Sequence, residues 1–518
     1  MTGESGRAVR WLTAAWAVAL ACFCIARNHA WLQDDCFITL RYARHLSEGH
    51  GPVWNLAGAP VEGFSSPLHL LLVAGLMRLH VAGVDAARGL GFALHAVLVA
   101  FVWRFVRRTS GATAGVLAAA LVLSSWPLLL WDLGGLDAVP FGALLAIGTL
   151  MTLRYVETGA RRDVVWAGFL LGLAVFMRPD GAVVAAVALA ACLTLGQQKL
   201  SRRVADVLLG AVLCAAAVLP WEIFRVRYFH AYLPNTFYAK IYGVPLGWRV
   251  HNGLHYWREF MLKPPYFVPL LVVVVALLLW KRRLSRFDVG LWACMAGYAA
   301  YGVASGGDYM PGFRFMVPLV PLFAVALARG VQELGGLRQA YIAAVLMVAM
   351  TMQVTVRVLN PQHRDPTAMA GEYVGRYLDA HWRSGSVVAL NSAGAIPFYA
   401  DRLAYIDMLG LNDAAIARRD PAPMDGPWLH LIGHVKGDGA SVLARHPDFI
   451  ILGGVMGSAL DFSGPEFVGD YELRRLPGFA ALYKPCAVAI PLSDFARAQL
   501  KDDIPSPTLW YYQRRDLP

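Results

Sequence analysis

Charge is scarce in this chain. Only 16% of its 518 residues are Asp, Glu, Lys or Arg, against 57% hydrophobic. A soluble protein of this length needs a far more polar surface, so the composition excludes a soluble enzyme and implies a membrane protein. Cysteine is sparse too, at Cys22, Cys24, Cys36, Cys192, Cys214, Cys294 and Cys486. Five of these sit in apolar runs and none has metal-ligand spacing. Cys36 and Cys486 fall outside the runs, which leaves one disulfide pairing open. No phosphate-cradling loop, nucleotide fingerprint or clear internal repeat occurs. The net charge is +11. The basic residues sit at the ends of apolar runs, as membrane topology requires, so nucleic acid is not the implied partner.

What is present is a series of apolar segments of membrane-crossing size. They lie near 11–27, 66–82, 87–106, 112–131, 137–156, 163–177, 181–198, 204–220, 265–280, 287–304, 312–329 and 337–357. The first, preceded by Arg7 and Arg10, reads as a span and not as a cleaved signal peptide. Placing the N-terminus in the cytoplasm makes 66–82 decisive. If it crosses, the clusters Arg104/Arg107/Arg108, Arg161/Arg162, Lys199/Arg202/Arg203 and Lys281/Arg282/Arg283/Arg286 all fall outside. If it lies flat, all fall inside, as the positive-inside bias prefers. Arg78 and His80 also suit an interfacial helix. The expected fold class is therefore a polytopic α-helical membrane protein with about 11 transmembrane helices.

The module spans residues 1–357, with outer loops at 28–86 and 221–264. Residues 358–518 lose the apolar runs. There Val387–Leu390, Leu403–Ile406 and Phe449–Leu452 read as short buried strands, so a C-terminal soluble α/β domain is expected on the outer face. The 221–264 loop is rich in aromatics, among them Trp248, Tyr256 and Trp257, and reads equally as an interfacial belt.

On this topology Asp34, Asp35, Glu48, Glu62, Asp132, Asp137, Asp180 and Asp308 all land on the outer side, near helix ends. Carboxylates at the bilayer boundary are costly unless they have a partner or a task. Asp34 and Asp35 are adjacent, and like charges in low dielectric raise one another's pKa or recruit a cation, which suits a general base or a metal ligand. His50, His69 and His230 show no zinc spacing. A divalent cation held by Asp34 or Asp35 stays open.

Several motifs carry a resemblance. They are Asp34-Asp35-Cys36 through Arg41-Tyr42, Val61-Glu62-Gly63-Phe64-Ser65-Ser66-Pro67, Gly134-Gly135-Leu136-Asp137, Arg178-Pro179-Asp180-Gly181, Leu233-Pro234-Asn235 through Lys240, and Gly306-Gly307-Asp308 through Arg314-Phe315. Ser392–Pro397 and Ile406–Asp413 add to them in the C-terminal part. Together they resemble membrane glycosyltransferases of the GT-C superfamily. Within it the chain is similar to the terminal arabinofuranosyltransferases of mycobacterial arabinan and to pilin arabinosyltransferases. Asp137 stands where relatives often carry Glu.

The resemblance implies a multi-pass protein of the bacterial inner membrane, acting on its periplasmic face. A sugar, with a pentofuranose favoured, would move from a polyprenyl monophosphate to a glycan, lipid or pilin-like protein. Asp34, with Asp35 second, is the expected catalytic carboxylate. Arg178, Lys240 and Arg314 are the expected phosphate ligands. Arg178 also reads as a helix end and Arg314 as a snorkelling side chain. Arg41, Tyr42, Glu62, Asp137, Asp180, Asn235 and Asp308 are further expected substrate contacts; apart from the resemblance, the polar, turn-like stretch His434–Gly439 adds His434 and Lys436 as acceptor contacts and reads also as a solvated loop. The alternatives are a flippase or exporter of lipid-linked glycans and an outer sensory scaffold.

Overall fold

The computed structural model describes residues 3–262, 284–334, 336–359, 366–428, 430–458 and 466–517. The apolar segment expected near 265–280, with Lys281, Arg282 and Arg283, lies outside the described residues. Every other apolar segment is helical. Among the described residues five helices are long and apolar enough to cross a membrane alone: Gly6–Asn28, Gly83–Ser110, Ala138–Thr158, Leu200–Tyr228 and Arg314–Glu333. A sixth forms if Ala112–Leu123 and Trp126–Gly134, bent by 45°, count as one span.

Helix ends sort into two layers. At one layer Asp137 precedes helix Ala138–Thr158, Arg178 closes helix Arg161–Met177 and Asp180 precedes helix Gly181–Leu195. At the other layer the basic clusters gather. Arg202 donates to the Gly159 carbonyl at 3.0 Å and Arg286 to that of Leu195 at 3.2 Å. Phe105 stacks on Phe287 with centroids 5.9 Å apart, which brings the Arg104–Arg108 turn to the same level. A 21-residue helix such as Ala138–Thr158 separates the layers by ~32 Å, about the thickness of a bilayer core.

Helix Pro67–Arg78 stays in the acidic layer. Its twelve residues reach only ~18 Å. Ser66 at its start bonds Asp137 at 2.6 Å, and Arg78 at its end donates to the Ser47 carbonyl at 3.0 Å. Ser47 closes the amphipathic helix Asp34–Ser47. Both ends of the short helix are thus tied to one side of the bundle.

Five strands form a sheet in the C-terminal part: β1 Val387–Leu390, β2 Ala404–Asp407, β3 Phe449–Ile451, β4 Tyr483–Ala489 and β5 Thr508–Arg514. Their order is β2-β1-β3-β5-β4; β2, β1 and β3 are parallel and β5 runs antiparallel to both neighbours. The three strands read from sequence fall within a residue of their expected limits. The disulfide does not form: Cys36 and Cys486 are both free, and the Cys36 thiol donates to the Gly135 carbonyl at 3.2 Å.

The sheet-bearing part docks on helix Asp34–Ser47. Asp34 accepts from the backbone N–H of Gly394 at 3.2 Å and Ala395 at 2.9 Å. Gly394 is required here, since a Cβ would stand 2.1 Å from the Asp34 carbonyl oxygen. Two helical turns further on, Arg41 pairs with Asp401 at 2.8 Å and donates to the Trp54 and Pro397 carbonyls. His45 reaches Asp401 at 3.2 Å.

Candidate active site

A cavity of about 220 Å³ opens where the acidic layer meets the C-terminal part. Four carboxylates (Asp35, Asp137, Asp180, Asp308) and three cations (Arg178, Lys240, Arg314) line it, and Leu411 and Ile432 of the C-terminal part close over it. These ionic groups come from five separate stretches of chain. Turn chemistry places them: Gly135, Gly306, Gly307 and Gly312 all hold φ between 74° and 102°, the left-handed region that breaks helices sharply.

Most of the charges are paired. The Arg178 Nε and Nη2 grip Asp180 at 3.0 and 3.1 Å, while its Nη1 lies 3.4 Å from Asp137. Ser66 donates to Asp137, and the Tyr298 hydroxyl to Asp180 at 3.2 Å. The Arg314 Nε donates to Asp308 at 2.8 Å, and its terminal amino groups make no hydrogen bond among the described residues. Asp35 and Lys240 are different. They stand 3.9 Å apart, beyond hydrogen-bonding distance, with side chains 22% and 25% exposed. Burial pulls the Lys240 pKa below its ordinary value, against the pull of Asp35.

The structure brings Asp35, Asp137, Arg178, Asp180, Lys240, Asp308 and Arg314 together. Six of the expected contacts point elsewhere, as does Asp34. The Asp34 oxygens are used on Gly394 and Ala395, and Arg41 is 1% exposed within the docking contact. The Tyr42 hydroxyl donates to the Val61 carbonyl at 2.7 Å and approaches Asn412 at 3.1 Å. Glu62 is buried against Arg225 at 2.5 Å and Trp221 at 3.0 Å. The Asn235 amide spans the carbonyls of Gly410 and Leu411. The Lys436 ammonium holds the carbonyls of Tyr238 and Ala417, each at 2.6 Å. Burial lowers its pKa to about 8. His434 packs on Tyr309 just outside the cavity, with burial lowering its pKa to about 3, so it is neutral there. Asp132 pairs with His95 at 2.5 Å inside the bundle.

Sequence reasoning missed Tyr298, whose hydroxyl steadies Asp180. A tyrosine ten residues before Asp308, within the mostly apolar helix Arg286–Ser305, was the available signal. Among the described residues no group of three or more His, Cys, Asp or Glu is placed to hold a metal ion. With Asp34 occupied and Lys240 beside Asp35, the twin aspartates do not form a paired cation site.

Comparisons with known proteins follow the same division of the chain. The family described as dolichyl-phosphate-mannose-protein mannosyltransferase matches residues 65–224. A domain of unknown function, DUF8728, matches residues 360–496. The terminal β-(1→2)-arabinofuranosyltransferase of Mycobacterium tuberculosis (strain ATCC 25618 / H37Rv) is 28% identical over 351 residues, covering 57% of this chain and 52% of the relative. The chain therefore spans about half the length of the curated relative it matches. Among solved structures, ArnT from Cupriavidus metallidurans bound to undecaprenyl phosphate superposes with a TM-score of 0.58 at 13% identity, over 78% of this chain and 87% of that one. The archaeal oligosaccharyltransferase AglB from Archaeoglobus fulgidus, in complex with an inhibitory peptide and a dolichol-phosphate, gives 0.50 at 11% identity, over 77% and 64%. At these identities the likeness is one of fold.

Proposed function

We propose that this chain, whose fold is that of the GT-C glycosyltransferases, moves a sugar from a polyprenyl monophosphate to an acceptor hydroxyl on the outer face of the bacterial inner membrane. The observation that carries this reading is the loose Asp35–Lys240 pair inside a cavity ringed by fixed charges. Tightly bonded charges make a rigid frame, and an acid held only loosely beside a part-exposed cation is equipped to act on a substrate.

Asp35 is the acceptor's base in this reading, in place of Asp34. The acceptor oxygen attacks the anomeric carbon, its proton passes to Asp35, and the bond from that carbon to the phosphate oxygen breaks with its electron pair left on the lipid phosphate. Lys240 and the open amino groups of Arg314 take up the charge that grows on that oxygen. Arg178 is committed to Asp180 and Asp137, so its part is to hold the frame and add positive field. Asp137, Asp180 and Asp308 orient the arginines.

The donor assignment draws on the ArnT structure, which holds undecaprenyl phosphate, and the AglB structure, which holds a dolichol-phosphate. A pentofuranose, arabinofuranose first, draws on the mycobacterial relative. The topology adopted is the eleven-span one. The C-terminal part is then periplasmic and the N-terminus cytoplasmic, and the flat Pro67–Arg78 helix and the basic far layer favour it. The test is transfer by purified protein in nanodiscs supplied with a panel of polyprenyl-phosphate sugars, with products identified by mass. Turnover with a pentofuranosyl donor is expected, lost in Asp35→Asn. Absence of both transfer and donor hydrolysis across the panel defeats the reading.

A further inference from the structure

We infer that a second cleft beside the cavity is the docking site of a neutral glycan acceptor. The inference rests on the transferase reading and names the acceptor's chemical class. The cleft, about 300 Å³, is lined by Trp126, Asn252, His255, Tyr256, Glu259 and Tyr309 among others. Asp308, Tyr309 and Ile432 line both spaces, so one short turn forms the wall between them.

The Gly306–Arg314 motif builds that wall. Gly307 holds φ at 79° and lies so close to Tyr256 that an added Cβ would stand 2.6 Å from the Tyr256 Cβ. The turn is pressed against helix Leu246–Leu262 on one side. On the other, Asp308 is fixed by Arg314 at 2.8 Å. A group seated in the cleft therefore lies next to the charged cavity without entering it.

The two spaces differ in chemistry. The first offers a phosphate the loosely held Lys240 and the open amino groups of Arg314. In the second, the charge of Arg357 is set against that of Glu259, the Asp308 carboxylate is taken up by Arg314, and the remaining polar groups are an amide, imidazoles, two phenols and an indole. With its one lining cation set against a carboxylate, the cleft offers little to a phosphate and suits a neutral ligand. Trp126 is 3% exposed, and its indole N–H has no acceptor among the described residues; the Nε2 of His430, also in the lining, has no partner either. Buried polar atoms of this kind call for hydrogen-bonding partners. Tyr309 is 39% exposed and offers a ring face. Aromatic faces for C–H surfaces, with planar amide, carboxylate and imidazole groups for hydroxyls, are what recognise a sugar. The aromatic 221–264 segment thus gains a task beyond anchoring.

Asn252 and His255 line only the second cleft and are partly exposed, so Asn252→Ala and His255→Ala spare the fold. The protein in nanodiscs is assayed with a polyprenyl-phosphate pentofuranose and a synthetic neutral oligoarabinofuranoside. Each variant is expected to raise the acceptor KM about tenfold, the loss of one hydrogen bond, with donor KM unchanged. Saturation-transfer NMR of the oligosaccharide with the wild-type protein should show binding that weakens in both variants. A shift in donor KM, or undiminished oligosaccharide binding in both variants, overturns the cleft assignment while leaving the transferase reading standing. Failure of every donor to turn over defeats that reading instead, and the NMR measurement alone then decides the cleft.

Discussion

The carboxylate of Asp35 and the ammonium of Lys240 face each other at 3.9 Å, while the neighbouring Asp34 turns away to hold the backbone of Gly394 and Ala395. On the proposed mechanism the two adjacent acids serve two ends, one chemical and one architectural.

Substitution separates the two. Asp35→Asn should abolish transfer, by 10²-fold or more as expected for loss of a general base, with an unchanged thermal midpoint. Asp34→Asn should do the reverse in kind. It leaves a weaker acceptor for two buried N–H groups, costing about 1–3 kcal/mol of stability at the contact. Thermal unfolding and turnover measured on the same preparations check both.

Arg314→Ala removes the cation with open donors. Donor affinity should fall by roughly 10- to 100-fold, the worth of a charge-assisted hydrogen bond. Arg314→Lys restores the charge without the fork and should recover only part of the loss. Titration with polyprenyl phosphate alone measures both.

The contact between the two parts of the chain should be acid-sensitive. Burial opposes ionisation of Asp401, but the His45 hydrogen bond and the charges of Arg41, His45 and Arg44 hold its pKa below the ordinary aspartate value. A depressed folded pKa gives stability that is present above the unfolded value and lost as pH falls through the folded one. The contact should therefore persist at neutral pH and loosen below about pH 4. Limited proteolysis across that range reads the loosening. Asp401→Asn should open the contact at neutral pH as well, because Arg41 is then buried without its partner anion.

Helix Pro67–Arg78, flat on the proposed topology, makes a topological prediction. A cysteine introduced at His80, just beyond Arg78, should react with an impermeant maleimide from the same side as one introduced at Phe495. One introduced at Arg162, in the basic layer, should not. Labelling of His80 and Phe495 from opposite sides would scatter the proposed site across two compartments.

Much of this arrangement was legible in the sequence because helix ends announce themselves. Asp137, Arg178, Asp180, Asp308 and Arg314 each stand where an apolar run stops, and an ionic group there needs company. The residues that proved to have other partners are those whose contacts lie far along the chain. Arg41 meets Asp401, and Glu62 meets Arg225 and Trp221; no local pattern reveals such pairings. The strands β4 and β5 escaped for a different reason. Pro485 sits within β4, which argues against a central strand, yet β4 lies at the sheet edge, where a missing N–H costs nothing.

The clamp made by Asp34 and Arg41 begins one residue before Asp35, on the same short helix. A tilt of the C-terminal part is therefore transmitted to Asp35, the proposed base, with almost no intervening chain to absorb it. Hybrids that graft a foreign C-terminal part after residue 360 would need the recipient's Asp34–Arg41 turn rebuilt to match. Without that match, the base would be aimed by a handle cut for another lock.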